Sequence, residues 1–220
     1  MHPRLRAEED LRIIRSLMER ATIYRAISAP TALVGGTLSI LAAVAIHYSG
    51  RSSLPFDRLA AGRDFALVWL LVLALTLIAN TFFVWREARK SGRPFISSGM
   101  KLALLAIAQC LLIPTAFTCW FLGTGYLGGQ ELELVTVWIA FYGLALLSTA
   151  LFAPRSLALL GWAFLLTSLA APTLTNILEG FTDNLPNLAM AVTFGIYHLI
   201  YSLFTWPWNR AAAGDQILPE

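Results

Sequence analysis

The sequence predicts an all-α integral membrane protein, in which a six-transmembrane-helix bundle follows an amphipathic N-terminal helix. Of the 220 residues, 57% are hydrophobic and only 13% are charged, whereas about 25% of the residues in a soluble domain are charged. The mean hydropathy is +0.66. The charged residues are also segregated, because long tracts of the chain carry none of them. A chain of this composition lacks the polar surface to cover a water-facing globule.

Six apolar tracts predict the membrane spans. A helix needs about 20 mainly apolar residues to cross a hydrocarbon core about 30 Å thick. The six tracts that meet this requirement without any Asp, Glu, Lys or Arg are residues 28–49, 65–85, 102–122, 134–152, 157–178 and 188–206. Their apolar runs are continuous rather than alternating, which predicts helices and excludes a barrel of short strands.

The tryptophans give an independent indication of where the spans end. All seven lie toward a predicted span end: Trp69, Trp85, Trp120, Trp138, Trp162, Trp206 and Trp208. Indole prefers the membrane interface, where its N–H meets water and its ring meets acyl chains. We therefore expect these side chains to mark the two interfaces.

The basic residues predict the orientation. Thirteen of the sixteen Lys and Arg residues lie on the side of the two termini if all six helices cross the membrane. Six of them are in residues 1–27, five are in residues 86–101, and the other two are Arg155 and Arg210. By the positive-inside rule, both termini are then cytoplasmic. Residues 207–220 form a short cytoplasmic tail.

The same asymmetry bears on partners and on location. The net charge of +3 is explained by the positive-inside bias, so it predicts no nucleic-acid partner. Arginine outnumbers lysine fourteen to two, which is typical of a GC-rich genome and favours a bacterial plasma membrane.

The first 27 residues predict an amphipathic cytoplasmic helix. Its apolar stripe includes Leu11, Ile14, Leu17 and Met18, and its opposite half includes Arg12, Arg15 and Arg20. The helix could lie at the lipid headgroups and pack on its own bundle. It could equally dock a partner protein. The sequence leaves both alternatives open.

The polar residues inside the spans form a candidate intramembrane site. The predicted members of this site are Asn80, Gln109, Tyr197, His198 and Tyr201. Intramembrane polar groups often mark substrate paths, but amides and hydroxyls also join helices by ordinary hydrogen bonds. The predicted spans contain no carboxylate, which disfavours a proton-driven pump.

His198 is the residue with the most possible chemistry, and the sequence argues against two uses of it. His47 is the other membrane histidine, but it differs in depth by about 12 Å, so the pair does not sandwich one haem. An intramembrane serine protease of the rhomboid type would need an activated serine in the fourth span. Ser148 lacks the glycine two residues before it that the rhomboid pattern requires. We predict no catalytic residue, metal ligand or cofactor.

These features favour a non-catalytic polytopic membrane subunit, which acts as an anchor, regulator or assembly partner through its N-terminal helix. Its partners would be the lipid bilayer and either a cytoplasmic protein or a second copy of the chain. A face of small residues around Gly35 and Gly36 would permit such close contact. The alternative is a small-molecule permease or the substrate-binding membrane subunit of an importer. It is favoured by Pro114 and Pro172, which interrupt two spans, and by the polar set.

Overall fold

The computed structural model describes residues 29–48, 58–91, 98–125, 130–150, 154–177 and 184–206. Within these ranges, every regular element is helical and no strand occurs. The helices are α1 (Ala29–Tyr48), α2 (Arg58–Ser91), α3 (Ser98–Thr124), α4 (Glu131–Ser148), α5 (Arg155–Ile177) and α6 (Leu185–Thr205). The predicted all-α class is therefore confirmed. The predicted N-terminal helix, with its stripe, and the C-terminal tail lie outside the described residues.

Five of these helices are long and apolar enough to cross a membrane, namely α1, α2, α3, α4 and α6. In α5 the apolar segment found among the described residues is Arg155–Ala171, which is shorter than a full span. The chain is thus compatible with a multi-pass membrane protein, and the sixth span stays a prediction.

The helix bounds differ from the predicted tracts at their ends. α2 has 34 residues and extends beyond residues 65–85 at both ends, because a helix continues past the hydrocarbon while its apolar tract does not. α4 differs most in the other direction, since it ends four residues before the predicted residue 152. Thr149 terminates it: both its backbone N–H and its Oγ1 donate to Leu146 O, and Pro154 follows shortly.

Small residues position the helices at close crossings. Gly143 of α4 faces Gly161 of α5, and the backbone oxygen of each lies only 2.9–3.0 Å from the position that a Cβ on the other would take. Gly36 of α1 faces Gly195 of α6, while Gly35 faces Thr76 of α2. The small-residue face of α1 is therefore used inside the chain, between α2 and α6, as expected for helices that pack without a hydrophobic driving force.

α1 and α6 run antiparallel along their described lengths. Four contacts between them follow one another along the helix axes. Ser202 Oγ donates to Ala29 O, and Gly195 packs on Gly36. Farther along, Asn187 Nδ2 donates to Ala43 O, and Asn184 Nδ2, just before α6, donates to His47 Nδ1. This regular series fixes the register of the two helices.

The tryptophans of the described residues differ in exposure. Trp85, Trp120, Trp162 and Trp206 are exposed. Trp69 is buried, and Trp138 Nε1 donates to Thr118 Oγ1 on α3 at 2.8 Å. These two indoles pack inside the bundle, and the placement of the tryptophans at the membrane interfaces stays a prediction.

Candidate functional site

The last helix contains a π-helical segment that lies immediately before His198. α6 is α-helical over Leu185–Met190, π-helical over Ala191–Tyr197 and α-helical again over His198–Thr205. π-Helical turns are rare and occur frequently at functional sites. Thr193 and Gly195 of this segment are buried. Residues 188–206 give no signal of it, since they read as one uniform apolar helix.

His198 is buried between α4, α5 and its own helix, with both ring nitrogens engaged. Nε2 lies 2.7 Å from the Tyr142 hydroxyl, and Nδ1 lies 3.3 Å from Thr193 O. Because a carbonyl oxygen only accepts, Nδ1 donates to Thr193 O, and in the neutral ring Nε2 then accepts from Tyr142. The wide π turn places Thr193 O within reach of the ring five residues later. The imidazole therefore links α6 to α4.

Aromatic rings enclose this link. We call Tyr142, Phe164, Phe194 and His198 the His198 cluster. The Tyr142 ring lies 4.8 Å from Phe164 and 5.0 Å from Phe194 between centroids. Phe194 stacks on His198 at 6.1 Å with an interplanar angle of 11°, while Phe164 meets His198 edge-on. Phe164 is 0% exposed. Such tilted and edge-to-face pairs are the favoured aromatic arrangements.

Two further predicted site residues border the cluster. The Tyr197 hydroxyl lies 2.9 Å from Thr167 Oγ1 of α5. Thr167 itself donates to Ala163 O, so it accepts from Tyr197. Tyr201, one turn after His198, is buried in the main apolar core. Three of the five predicted residues thus share the buried side of α6.

The other two predicted residues lie elsewhere. Asn80 Oδ1 accepts a hydrogen bond from Thr31 Oγ1 at 3.0 Å, which joins α2 to α1. Gln109 has an exposed side chain on α3. Neither is among the residues that pack or hydrogen-bond with His198. The five predicted residues therefore fall in three places, and the polar set is not one site.

Tyr142, Phe164 and Phe194 of the cluster were not predicted from the sequence, and Tyr142 is the polar one among them. It lies within the fourth predicted span, and its hydroxyl needs a partner in hydrocarbon, which was the available signal. The partner, His198, is 56 residues away. Ser148, the candidate nucleophile on the same helix, instead donates to Ala145 O at 2.7 Å.

The arrangement of potential metal ligands and histidines limits which cofactors the described residues could hold. Among them, no group of three or more His, Cys, Asp and Glu side chains is placed to hold a metal ion. His47, the second histidine considered for haem, is hydrogen-bonded to Asn184. The arrangement at His198 can hold helices together and can change only if Tyr142 or Thr193 releases the ring.

Comparison of the chain with known protein families, with curated proteins and with solved structures gave no match in any of the three.

Proposed function

We propose that this chain is a non-catalytic polytopic membrane subunit that serves as an anchor, a regulator or an assembly partner. One observation carries the proposal. The groups best suited to bind a substrate, His198 and the hydroxyls of Tyr142 and Tyr197, are hydrogen-bonded to one another or to neighbouring helices. Their geometry supports a structural role in the bundle rather than an open substrate site.

The proposal includes six spans with both termini in the cytoplasm of a bacterial plasma membrane. The distribution of Lys and Arg supports this orientation. The end of α2 is consistent with it, since the Arg89 guanidinium lies 4.6 Å from the centroid of the Trp85 ring. An exposed Trp beside an Arg at a helix end is typical of an anchor at the lipid headgroups.

In this proposal the N-terminal helix is the surface that contacts a partner. Its stripe of Leu11, Ile14, Leu17 and Met18 is costly to leave in water, because burial of each such side chain contributes about 1.5–3 kcal/mol. Arg12, Arg15 and Arg20 on the other half stay hydrated or reach lipid phosphates. The stripe therefore needs lipid, the bundle or another protein to cover it.

A matched pair of double variants tests this role. Ile14→Asp with Met18→Asp places two charges on the stripe. Ser16 and Ile23 lie on the same half of the predicted helix as Arg12, at about 100° per residue, so Ser16→Asp with Ile23→Asp places two charges on the polar half. We expect the first variant to lose the proteins cross-linked to the full-length chain in its native membrane. The second variant should keep them. Fractionation of the membranes checks that both variants insert.

Two outcomes contradict the proposal. If both variants keep every cross-linked protein, the subunit function loses its physical support. If the stripe variant alone fails to fold as a bundle, the helix is an internal structural element instead of a docking surface.

The alternative function, a small-molecule permease or importer subunit, is favoured by the π-helical segment beside His198. A test separates the two functions. Thr193→Cys, in a chain with Cys110 and Cys119 changed to Ser, places a thiol at a buried position. A closed bundle protects this thiol from a membrane-impermeant reagent added from either side. Modification from one side indicates an aqueous path and favours the permease.

A further inference from the structure

Within the described ranges, two buried side-chain atoms on different helices have no hydrogen-bond partner: Trp69 Nε1 on α2 and Asn187 Oδ1 on α6. The two residues are 3% and 7% exposed. Their chemistry is complementary, because an indole N–H only donates and an amide oxygen only accepts. A polar atom that is buried in an apolar bundle without a partner is destabilising.

The register of the helices puts both atoms in the same layer of the bundle. Asn187 lies opposite Ala43, to whose carbonyl its Nδ2 donates at 2.9 Å. On an adjacent face of α1, Gly35 lies opposite Thr76 of α2. α2 runs antiparallel to α1, as the Thr31–Asn80 hydrogen bond one turn away shows. Ala43 lies eight residues after Gly35 on α1. Because α2 runs in the opposite direction, the residue of α2 at the depth of Ala43 lies eight residues before Thr76, at position 68.

Trp69 is adjacent to that position, so Trp69 and Asn187 lie at the depth of Ala43 to within about one residue rise of 1.5 Å. Trp69 also belongs to the same buried core as Ala43 and Met190. The donor and the acceptor thus lie in the same layer of the interior, around α1.

Polar groups connect this layer to the end of the bundle. Asn184 immediately precedes α6 and lies three residues before Asn187. Its Nδ2 donates to His47 Nδ1 at 2.8 Å, and Asn184 is exposed. Two asparagines and a histidine therefore line one side of the contact between α1 and α6, from the surface to Asn187.

We propose that α1, α2 and α6 enclose a binding site for a small neutral molecule that accepts a hydrogen bond from Trp69 Nε1 and donates one to Asn187 Oδ1, with water as its occupant. One molecule of this kind satisfies both atoms, whereas a metal cation cannot accept from Nε1 and an anion without an O–H or N–H group cannot donate to Oδ1. Asn187 Nδ2 stays bonded to Ala43 O and fixes the orientation of the amide, so that Oδ1 is presented to the occupant. This site is independent of the function proposed above.

Radiolytic labelling of the full-length protein tests the proposal without any substitution. X-ray pulses convert bound water into hydroxyl radicals, which oxidise the side chains they touch, and mass spectrometry reads the oxidation residue by residue. We expect Trp69 to be oxidised despite its burial. Phe164, an aromatic residue that is 0% exposed, is the matched control and should stay unmodified. A Trp69 that is as unreactive as Phe164 overturns the proposal.

Asn187→Leu then tests the second contact. This substitution removes the acceptor, so the oxidation of Trp69 should fall to the background measured at Phe164. Oxidation that is unchanged in this variant would exclude Asn187 from the site and overturn the proposal in its stated form.

Discussion

The crossing of α4 and α5 predicts that Gly143→Ala destabilises the bundle. A Cβ at residue 143 would lie 2.9 Å from Gly161 O, 3.0 Å from Phe164 Cβ and 3.1 Å from Leu165 N. Ordinary van der Waals contact to such a Cβ begins at 3.4 Å. Two of the three neighbours are backbone atoms that no rotamer change can move. The helices must therefore separate by a few tenths of an ångström at their closest point.

The magnitude follows from two opposing effects. Insertion of one methyl group into a packed interior costs about 1–3 kcal/mol, whereas Ala favours a helix over Gly by about 1 kcal/mol. The net loss is then ~0–2 kcal/mol from these terms alone. Displacement of Phe164 also loosens the aromatic contacts around His198, so we expect the upper part of this range. At about 2–4 °C per kcal/mol for a chain of this size, the midpoint should fall by ~4–8 °C.

The assay is thermal unfolding of the purified full-length protein in one detergent, followed by tryptophan fluorescence. Gly123→Ala is the matched control, because a Cβ at that exposed helical position has no neighbour within 4 Å. The control should keep or raise the midpoint, since only the helix propensity changes. If Gly143→Ala unfolds at the same temperature as Gly123→Ala, or above it, the close crossing does not exist as described.

Three further predictions concern the His198 cluster and the topology. Tyr142→Phe leaves Nε2 of His198 as a buried acceptor without its donor, so it should cost about 1–3 kcal/mol of stability; an unchanged midpoint would show that this hydrogen bond is absent. His198→Gln should keep expression and a midpoint close to that of the parent, because an amide oxygen can still accept from Tyr142; loss of transport or of a bound chromophore with the fold intact would refute a structural role. Reporter fusions within residues 1–27, 86–101, 153–156 and 207–220 should read as cytoplasmic, and a fusion after Gly128 that also reads as cytoplasmic would refute the six-span topology.

The class of the protein and the approximate extent of its helices could be predicted from the sequence because both follow from transfer free energies. A tract such as residues 65–85 is too apolar for water and must be helical in lipid, where no solvent satisfies its backbone. The described helices accordingly contain most of each predicted tract. The residues at which the helices end were less predictable. α4 ends where the Thr149 hydroxyl donates to Leu146 O, and a hydropathy profile contains no information on such a hydrogen bond.

The members of the candidate site could be predicted only in part. His198, Tyr197 and Tyr201 were identifiable because polar atoms are rare in an apolar tract. The same reasoning also selected Gln109, whose side chain is exposed on α3, and Asn80, whose partner is Thr31 on α1. It did not select Tyr142, the residue that holds His198.

The tertiary structure alone decided which faces of the helices meet. Lipid chains are as apolar as leucine, so hydrophobicity cannot distinguish a face that packs on a neighbour from one that faces lipid. The contacts that make this distinction are the crossing of Gly143 with Gly161, the hydrogen bond from Asn187 to Ala43 and the Tyr142–His198 hydrogen bond. Each joins residues that are far apart in the chain, and the π-helical turn before His198 forms within a tract whose residues read as ordinary helix. These features arise from packing between helices, which acts on side-chain shape and hydrogen-bond geometry rather than on the polarity that the sequence displays.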